Sequence, residues 1–228
     1  MIDHAHDLES VHGATERLLT AAAAMDNAAV TKSSRLPDWS RGHVLAHLSR
    51  NADALVNVLR GRPMYPSAEA RDADIERDAP RPIDVQLADL RASAARFDEA
   101  GAAPADWSRT VELRNGVTDS ASRVPFRRWA EVELHHVDLG IGYELEDLSE
   151  EFTQREINFL TERFQGHPDV PALVIEEDDG RRIPTGGHGD PALVVTGRPA
   201  DLLGWLAGRR DGSVLTVHGG TLPSLPPL

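Results

Sequence analysis

The segment Glu131-Val-Glu-Leu-His135 places a carboxylate and an imidazole four residues apart. If the segment is helical, residues i and i+4 point the same way, so Glu131 and His135 can reach one metal ion. A third ligand must come from elsewhere in the chain, and His47 lies among apolar neighbours. Two histidines and one carboxylate, with a fourth position open for water or a substrate sulfur, are the arrangement used for catalytic zinc.

The same residues also allow simpler interpretations. A Glu-x-x-x-His pair on an exposed helix is usually only a solvated side-chain pair. His43 precedes His47 by one helical turn and is an alternative ligand. His136 points about a quarter-turn away from His135 and is expected to contact solvent or a neighbouring side chain. Asp138, three residues past His135, is placed either to orient that imidazole through its second nitrogen or to pair with an arginine.

Other catalytic chemistries have less support in this sequence. The chain contains no cysteine, which excludes a thiolate zinc site and a thiol nucleophile of its own. It contains no Gly-x-Ser-x-Gly nucleophile elbow. The glycine-rich segment Gly186–Asp190 lacks the lysine of a phosphate loop and precedes a predicted strand, so a hairpin or loop is expected there. A thiol, if the chemistry needs one, must come from a small molecule.

Composition narrows the classes of partner. The 228 residues carry a formal net charge of −13, which disfavours binding to nucleic acid and to anionic lipid. The first ten residues are polar and lack the apolar core of a signal peptide, and no apolar run reaches membrane-spanning length. We therefore expect a cytoplasmic protein, a monomer or weak oligomer, that binds small molecules rather than nucleic acid or membrane.

Helical periodicity dominates the first part of the chain. Apolar residues recur at helical spacing in segments that cover about residues 6–25, 41–61, 67–78, 83–97 and 125–142. The third of these segments is short and polar, and the other four are long. Four long helices predict a bundle, in which sites are built from inward-facing side chains. We assign this metal-binding helical bundle to residues 1–147.

The pattern changes after a charged stretch from Glu144 to Glu151. It predicts a helix to about Phe164, strands at residues 172–176, 192–196 and 214–218, and a helix at residues 199–208. These elements indicate a small α/β domain over residues 148–228. The predicted fold class is therefore α+β, with an N-terminal four-helix bundle followed by a small C-terminal α/β domain.

Four tracts of the sequence resemble the mycothiol-dependent maleylpyruvate isomerase family, which belongs to the wider group of DinB-like helical-bundle metalloproteins. The tracts are Leu36–Ala52, Met64–Arg71, Arg128–Gly140 and Gly197–Arg209. Together they span nearly the whole chain. The last tract resembles the family's C-terminal domain, which has a sterol-carrier-like α/β fold.

This resemblance implies a site and a reaction. It implies that His47, Glu131 and His135 bind zinc, and that the thiol of mycothiol takes the open position as a thiolate. An arginine of the family's Glu-Ala-Arg tract is needed for activity, and this position is Arg71 here. The implied reaction is cis-trans isomerisation of maleylpyruvate to fumarylpyruvate in gentisate degradation. The thiolate adds to the conjugated alkene, the resulting single bond rotates, and the thiolate leaves.

Two other functions are compatible with the same sequence. The first is a zinc-dependent mycothiol S-transferase that acts on other electrophiles. The second is a non-catalytic binding module, in which the C-terminal domain carries an apolar ligand or a partner and the bundle site is vestigial. Purified protein without metal and without thiol-dependent activity would favour the second.

Overall fold

The computed structural model describes residues 3–103, 105–191 and 193–227. The chain separates into two compact units, residues 1–143 and residues 144–228. The first is helical and the second contains a small sheet, which confirms the predicted fold class. The predicted boundary between residues 147 and 148 lies slightly beyond this division. No helix among the described residues is long and apolar enough to cross a membrane.

The first unit contains the four predicted long helices and two shorter ones. The helices are α1 (His4–Ala22), α2 (Asn27–Val30), α3 (Arg41–Leu59), α4 (Ala68–Asp78), α5 (Ile83–Ala102) and α6 (Val124–Asp138). A hairpin of β1 (Thr110–Glu112) and β2 (Thr118–Ser120) lies between α5 and α6. Short 3-10 turns at Arg114–Gly116 and Ala121–Arg123 complete this connection.

Helix α3 occupies the middle of the bundle, where it packs against α4, α5 and α6. It begins with a capping box, in which Ser40 and His43 each accept a backbone N–H of the other. This exchange satisfies donors that the first turn leaves without helical partners. The apolar residues Val44, Leu45 and Leu48 are fully buried, as expected for a helix with neighbours on several sides.

A close contact brings α4 against α3. A Cβ added at Gly42 would lie 2.1 Å from the carbonyl oxygen of Ala79, just after α4, so a residue without a side chain is required there. Gln86 of α5 is buried beside this contact, and its Nε2 donates to the carbonyl oxygens of Asp78 at 2.9 Å and Ala79 at 3.1 Å. The end of α4 is therefore fixed against α3 and α5.

The described part of the second unit contains a 3-10 turn at Leu145–Asp147, two α-helices and a four-stranded sheet. Its elements are α7 (Glu150–Phe164), β3 (Leu173–Glu177), β4 (Arg182–Thr185), β5 (Leu193–Gly197), α8 (Pro199–Leu206) and β6 (Thr216–His218). The strand order is β4-β3-β5-β6, with β3 and β5 parallel and the other pairs antiparallel. Ile175 and Val195 are register partners and are fully buried in the core of this unit.

Strand β4 was absent from the sequence prediction. Its sequence is Arg-Ile-Pro-Thr, and Pro184 has no N–H for a sheet ladder, which argues against a central strand. The structure places β4 at the edge of the sheet, where proline is tolerated. The strand predicted from residue 192 is β5, but Ala192 itself lies outside the described residues. Gly186–Asp190 lies in the loop between β4 and β5, as expected.

Candidate metal centre

The structure brings His47 of α3 together with Glu131 and His135 of α6. Each offers one ligand atom, and these atoms all lie within 4.8 Å of one another. Oε2 of Glu131 is 2.9 Å from Nε2 of His47 and 3.3 Å from Nε2 of His135. The two imidazole rings meet edge to face, with 4.6 Å between their centroids. Two nitrogens and one carboxylate oxygen therefore converge on one point, although 84 residues separate His47 from Glu131.

The cluster is enclosed on the histidine side and open on the carboxylate side. The side chains of His47 and His135 are 7% and 12% exposed, whereas Glu131 is 34% exposed. The ring of Trp39 covers His47, with 5.4 Å between the ring centroids. Both imidazoles are thus fixed by packing, and a ligand would approach along the exposed side of Glu131.

His43 is not part of the cluster. Its Nδ1 lies 2.7 Å from Oγ of Ser40 and 3.2 Å from the backbone nitrogen of Ser40. Its Nε2 lies 3.3 Å from Oε2 of Glu76 on α4. His43 therefore caps α3 and contacts α4, and His47 is the α3 histidine that faces the candidate ligands on α6.

Asp138 orients His135 in the structure. Its Oδ2 lies 2.8 Å from Nδ1 of His135, and the Asp138 side chain is fully buried. A carboxylate on the second ring nitrogen fixes the tautomer that leaves Nε2 available to a metal, as in many metal sites. His135 thus presents its Nε2 to the cluster and its Nδ1 to a carboxylate of the same helix.

His136 points away from the cluster. It is 2% exposed and stacks on the ring of Tyr143, with 4.0 Å between centroids and 13° between planes. The sequence predicts that His136 contacts either solvent or a neighbouring side chain, and the structure shows the contact with a neighbouring side chain. Consecutive helical residues differ by about 100° in direction, so His135 and His136 cannot serve one ion together.

The charge states of the cluster fit a cation. Burial lowers the pKa of His47 to about 4, so this imidazole is neutral at neutral pH. Burial favours the protonated form of Glu131, but hydrogen bonds with His135 and His47 outweigh it and hold the pKa of Glu131 well below its usual value. Burial disfavours charge on His135, yet the hydrogen bonds with Asp138 and Glu131 raise its pKa. A metal ion would take the position that a proton takes beside these carboxylates.

Arg71, on α4, contacts Nδ1 of His47, whereas Glu131 contacts Nε2 of the same ring. Its Nη2 lies 3.3 Å from Nδ1 of His47, and its Nη1 donates to Oδ1 of Asp72 at 2.6 Å. The guanidinium carbon is 6.0 Å from the centroid of the Tyr65 ring. Arg71 therefore places a permanent positive charge beside the three candidate ligands, where its planar fork suits a carboxylate.

Two further residues beside the cluster were missed by the sequence analysis. Tyr65 packs near Arg71, and burial raises the pKa of its phenol. Arg128 is 1% exposed and donates from Nη1 to the carbonyl oxygen of Leu48 at 2.9 Å and to Oδ1 of Asn51 at 2.8 Å. These bonds tie α6 to α3 at positions one and four residues beyond His47. Tyr65 and Arg128 both lie in the tracts that carry the resemblance, which is the signal that could have found them.

Asp138→Asn tests the orientation of His135. An asparagine keeps the shape of the side chain but removes its negative charge, so the imidazole loses the partner that fixes its tautomer. We expect the affinity for zinc to fall about 10- to 100-fold, the usual cost of losing such a partner. Competition with a chromophoric chelator measures this affinity. Asp98→Asn is a matched control because Asp98 also contacts an imidazole, with 3.1 Å between its Oδ2 and Nδ1 of His12, outside the candidate ligand set; equal affinities for Asp138→Asn and the wild type would contradict the assignment.

The low pKa of His47 predicts how the chelator-treated protein responds to acid. The unfolded chain binds a proton at this residue near its ordinary pKa of about 6.5, whereas the folded chain binds it only near 4. His47 therefore contributes to the free energy of unfolding fully above about pH 6.5. This contribution, on the order of 3 kcal/mol, is lost as the pH falls toward 4. His135, whose pKa is raised, already stabilises the folded chain fully between these two pH values.

Urea unfolding of the chelator-treated protein between pH 7 and pH 5 measures this loss. His47→Gln removes the titrating group, so the variant should lose less stability across the same interval than the wild type. Parallel pH profiles for the two proteins would show that His47 does not titrate as the geometry requires.

Comparison with known proteins places this chain in a family. The family model of the mycothiol maleylpyruvate isomerase N-terminal domain matches residues 11–140 of this chain. The MDMPI C-terminal domain model matches residues 147–227. No curated protein sequence matches the chain.

Two solved structures are similar over almost the full length. The crystal structure of the mycothiol-dependent maleylpyruvate isomerase is 28% identical, with a TM-score of 0.89, and the match covers 99% of this chain and 97% of that chain. A histidine-to-alanine mutant of the mycothiol-dependent maleylpyruvate isomerase is 27% identical, with a TM-score of 0.88 and the same coverage.

Proposed function

This chain belongs to the mycothiol-dependent maleylpyruvate isomerase family, and we propose that it catalyses the mycothiol-dependent cis-trans isomerisation of maleylpyruvate to fumarylpyruvate at a zinc site. The observation that carries the proposal is the convergence of His47, Glu131 and His135 within 4.8 Å, with Arg71 beside them. We further propose that the reaction serves gentisate degradation in the cytoplasm.

The donor set suits zinc. Two imidazole nitrogens and one carboxylate oxygen are the protein ligands of many catalytic zinc sites, which keep the fourth position for a reacting group. The absence of cysteine from the chain leaves the thiolate to a small molecule. When bound, zinc lowers the pKa of a coordinated thiol, so that mycothiol supplies the nucleophile that adds to the alkene and later leaves.

The residues of the chain hold the reacting groups in place. His47, Glu131 and His135 would be the ligands, and Asp138 fixes the ring of His135 through Nδ1. Addition of a thiol to the alkene would place negative charge on the conjugated carbonyl oxygen of the substrate, and this charge would need a nearby cation. Arg71 can hold a substrate carboxylate or stabilise that oxygen.

A direct assay tests the proposed function. Purified protein is supplied with zinc and maleylpyruvate, and loss of maleylpyruvate is followed with and without mycothiol. We expect turnover to fumarylpyruvate only when both zinc and mycothiol are present. Conjugation of mycothiol to other electrophiles without isomerisation would identify an S-transferase instead, and protein that holds no metal and shows no thiol-dependent activity would indicate a binding module.

A further inference from the structure

A cavity of about 620 Å³ lies next to Tyr65 in the first unit. Three segments form it: the C-terminal end of α3, the loop that leads into α4, and the turn after β1. Its polar lining includes Arg62, Tyr65, Ser67, Glu112, Arg114 and Asn115. The three candidate metal ligands are not among its lining residues, so the cavity is a separate feature from the cluster.

We propose that this cavity binds the sugar end of mycothiol while the thiol reaches the metal cluster. The inference rests on the proposed function and adds to it the place where the cofactor is held. Three features carry the inference: the position of the cavity, its distance from the cluster compared with the lengths of mycothiol and maleylpyruvate, and the chemistry of its lining.

The near wall of the cavity is connected to the cluster. Tyr65 lines the cavity, and its ring lies 6.0 Å from the guanidinium carbon of Arg71. Arg71 in turn places Nη2 at 3.3 Å from Nδ1 of His47. Two side chains therefore join the cavity wall to a candidate zinc ligand, so a molecule seated in the cavity lies close to the cluster.

The far wall is too distant for the substrate. Val58 lines the cavity and lies eleven residues after His47 on α3, which is about 16 Å along the axis at 1.5 Å per residue. Maleylpyruvate has a seven-carbon chain that spans roughly 8 Å from end to end by standard bond lengths, and its alkene must meet the sulfur at the cluster. A thiol with a long polar extension can reach both places, whereas the substrate cannot.

The lining suits a molecule with many hydroxyl groups. Arg62 and Arg114 are exposed and supply N–H donors, Asn115 supplies both a donor and an acceptor, and Glu112 supplies acceptors. Sugar hydroxyls donate and accept, so they can use both kinds of group. The lining therefore offers the sugar end of the cofactor partners of both kinds.

The cavity is also held open by the fold. Arg109 donates from Nη2 to the carbonyl oxygens of Val58 at 3.2 Å and Leu59 at 2.6 Å, which ties the start of β1 to the end of α3. These bonds satisfy carbonyls that the last turn of a helix leaves without partners. A wall fixed in this way reduces the ordering cost of binding.

Binding of mycothiol to the full-length, zinc-loaded protein tests the proposal. The variants are Arg114→Ala and Arg62→Ala, which remove donors, and Ala68→Trp, which fills the cavity. Arg91→Ala, an exposed arginine on α5 outside the cavity, is the matched control. Calorimetry gives the Kd for mycothiol and for N-acetylcysteine, a thiol without the sugar, and steady-state kinetics gives the KM for each reactant.

We expect each arginine variant to raise the Kd and the KM for mycothiol about 10- to 100-fold, the effect of losing one hydrogen bond with a charged group. Ala68→Trp should raise both values by at least about 10-fold because the indole occupies the space of the ligand. The KM for maleylpyruvate, the Kd for N-acetylcysteine and all properties of Arg91→Ala should stay at wild-type values. Equal losses for both thiols, or wild-type binding of mycothiol by all three cavity variants, would overturn the assignment of the cavity while leaving the proposed function in place. A wild-type protein that does not bind mycothiol at all would overturn both.

Discussion

His47→Ala should remove the bound metal and nearly all turnover. The variant deletes the candidate ligand that α3 contributes, so the remaining pair on α6 would have to hold the ion without a third protein donor. Loss of a partner that only orients a ligand costs about 10- to 100-fold in affinity, and loss of the ligand itself should cost more than about 100-fold. Elemental analysis after dialysis measures the zinc content, and the isomerase assay measures the turnover, which we expect to fall at least about 1,000-fold.

His43→Gln is the control for this experiment because it removes a histidine one turn away on the same helix. His43 is the N3 residue of the capping box of α3, a position that glutamine commonly occupies, so the variant should keep its stability to within about 1 kcal/mol and leave the zinc content unchanged. The opposite result, with zinc retained by His47→Ala and lost by His43→Gln, would move the site to the alternative histidine.

Arg71→Ala should leave the zinc content unchanged and reduce kcat/KM about 100-fold, or about 2.7 kcal/mol of transition-state stabilisation. The reason is electrostatic: the guanidinium is the cation placed beside the cluster at 3.3 Å from His47, and negative charge develops on the substrate during thiol addition. Arg71→Lys keeps the charge but loses the planar fork, so partial recovery is expected. Steady-state kinetics with metal analysis of each variant makes the measurement.

The tautomer of His47 supports a role for Arg71 toward substrate rather than toward the metal. An imidazole that ligates through Nε2 carries its proton on Nδ1, and this nitrogen then accepts no hydrogen bond from Arg71. The guanidinium is then available for a carboxylate. Unchanged kinetics in Arg71→Ala would refute the assignment, and loss of zinc in the same variant would make Arg71 a residue that only supports the ligands.

The sequence by itself determined the local parts of this molecule. Four amphipathic periodicities determined the long helices, and the four-residue spacing of Glu131 and His135 determined that both face one point. The three-residue spacing to Asp138 likewise allowed its contact with His135. These features depend on helix geometry alone, because the residues involved are close in the chain. The resemblance of four tracts supplied the family, which the domain matches bear out.

Only the tertiary structure decided the features that need segments distant in the chain. It chose between His43 and His47, because a capping box occupies the first and the packing of α3 on α6 presents the second. It placed Tyr65 and Arg128 beside the cluster and buried His136 against Tyr143. Side-chain type and periodicity indicate which face of an element is buried but not which partner covers it. That choice is made by long-range packing, which a local pattern does not encode.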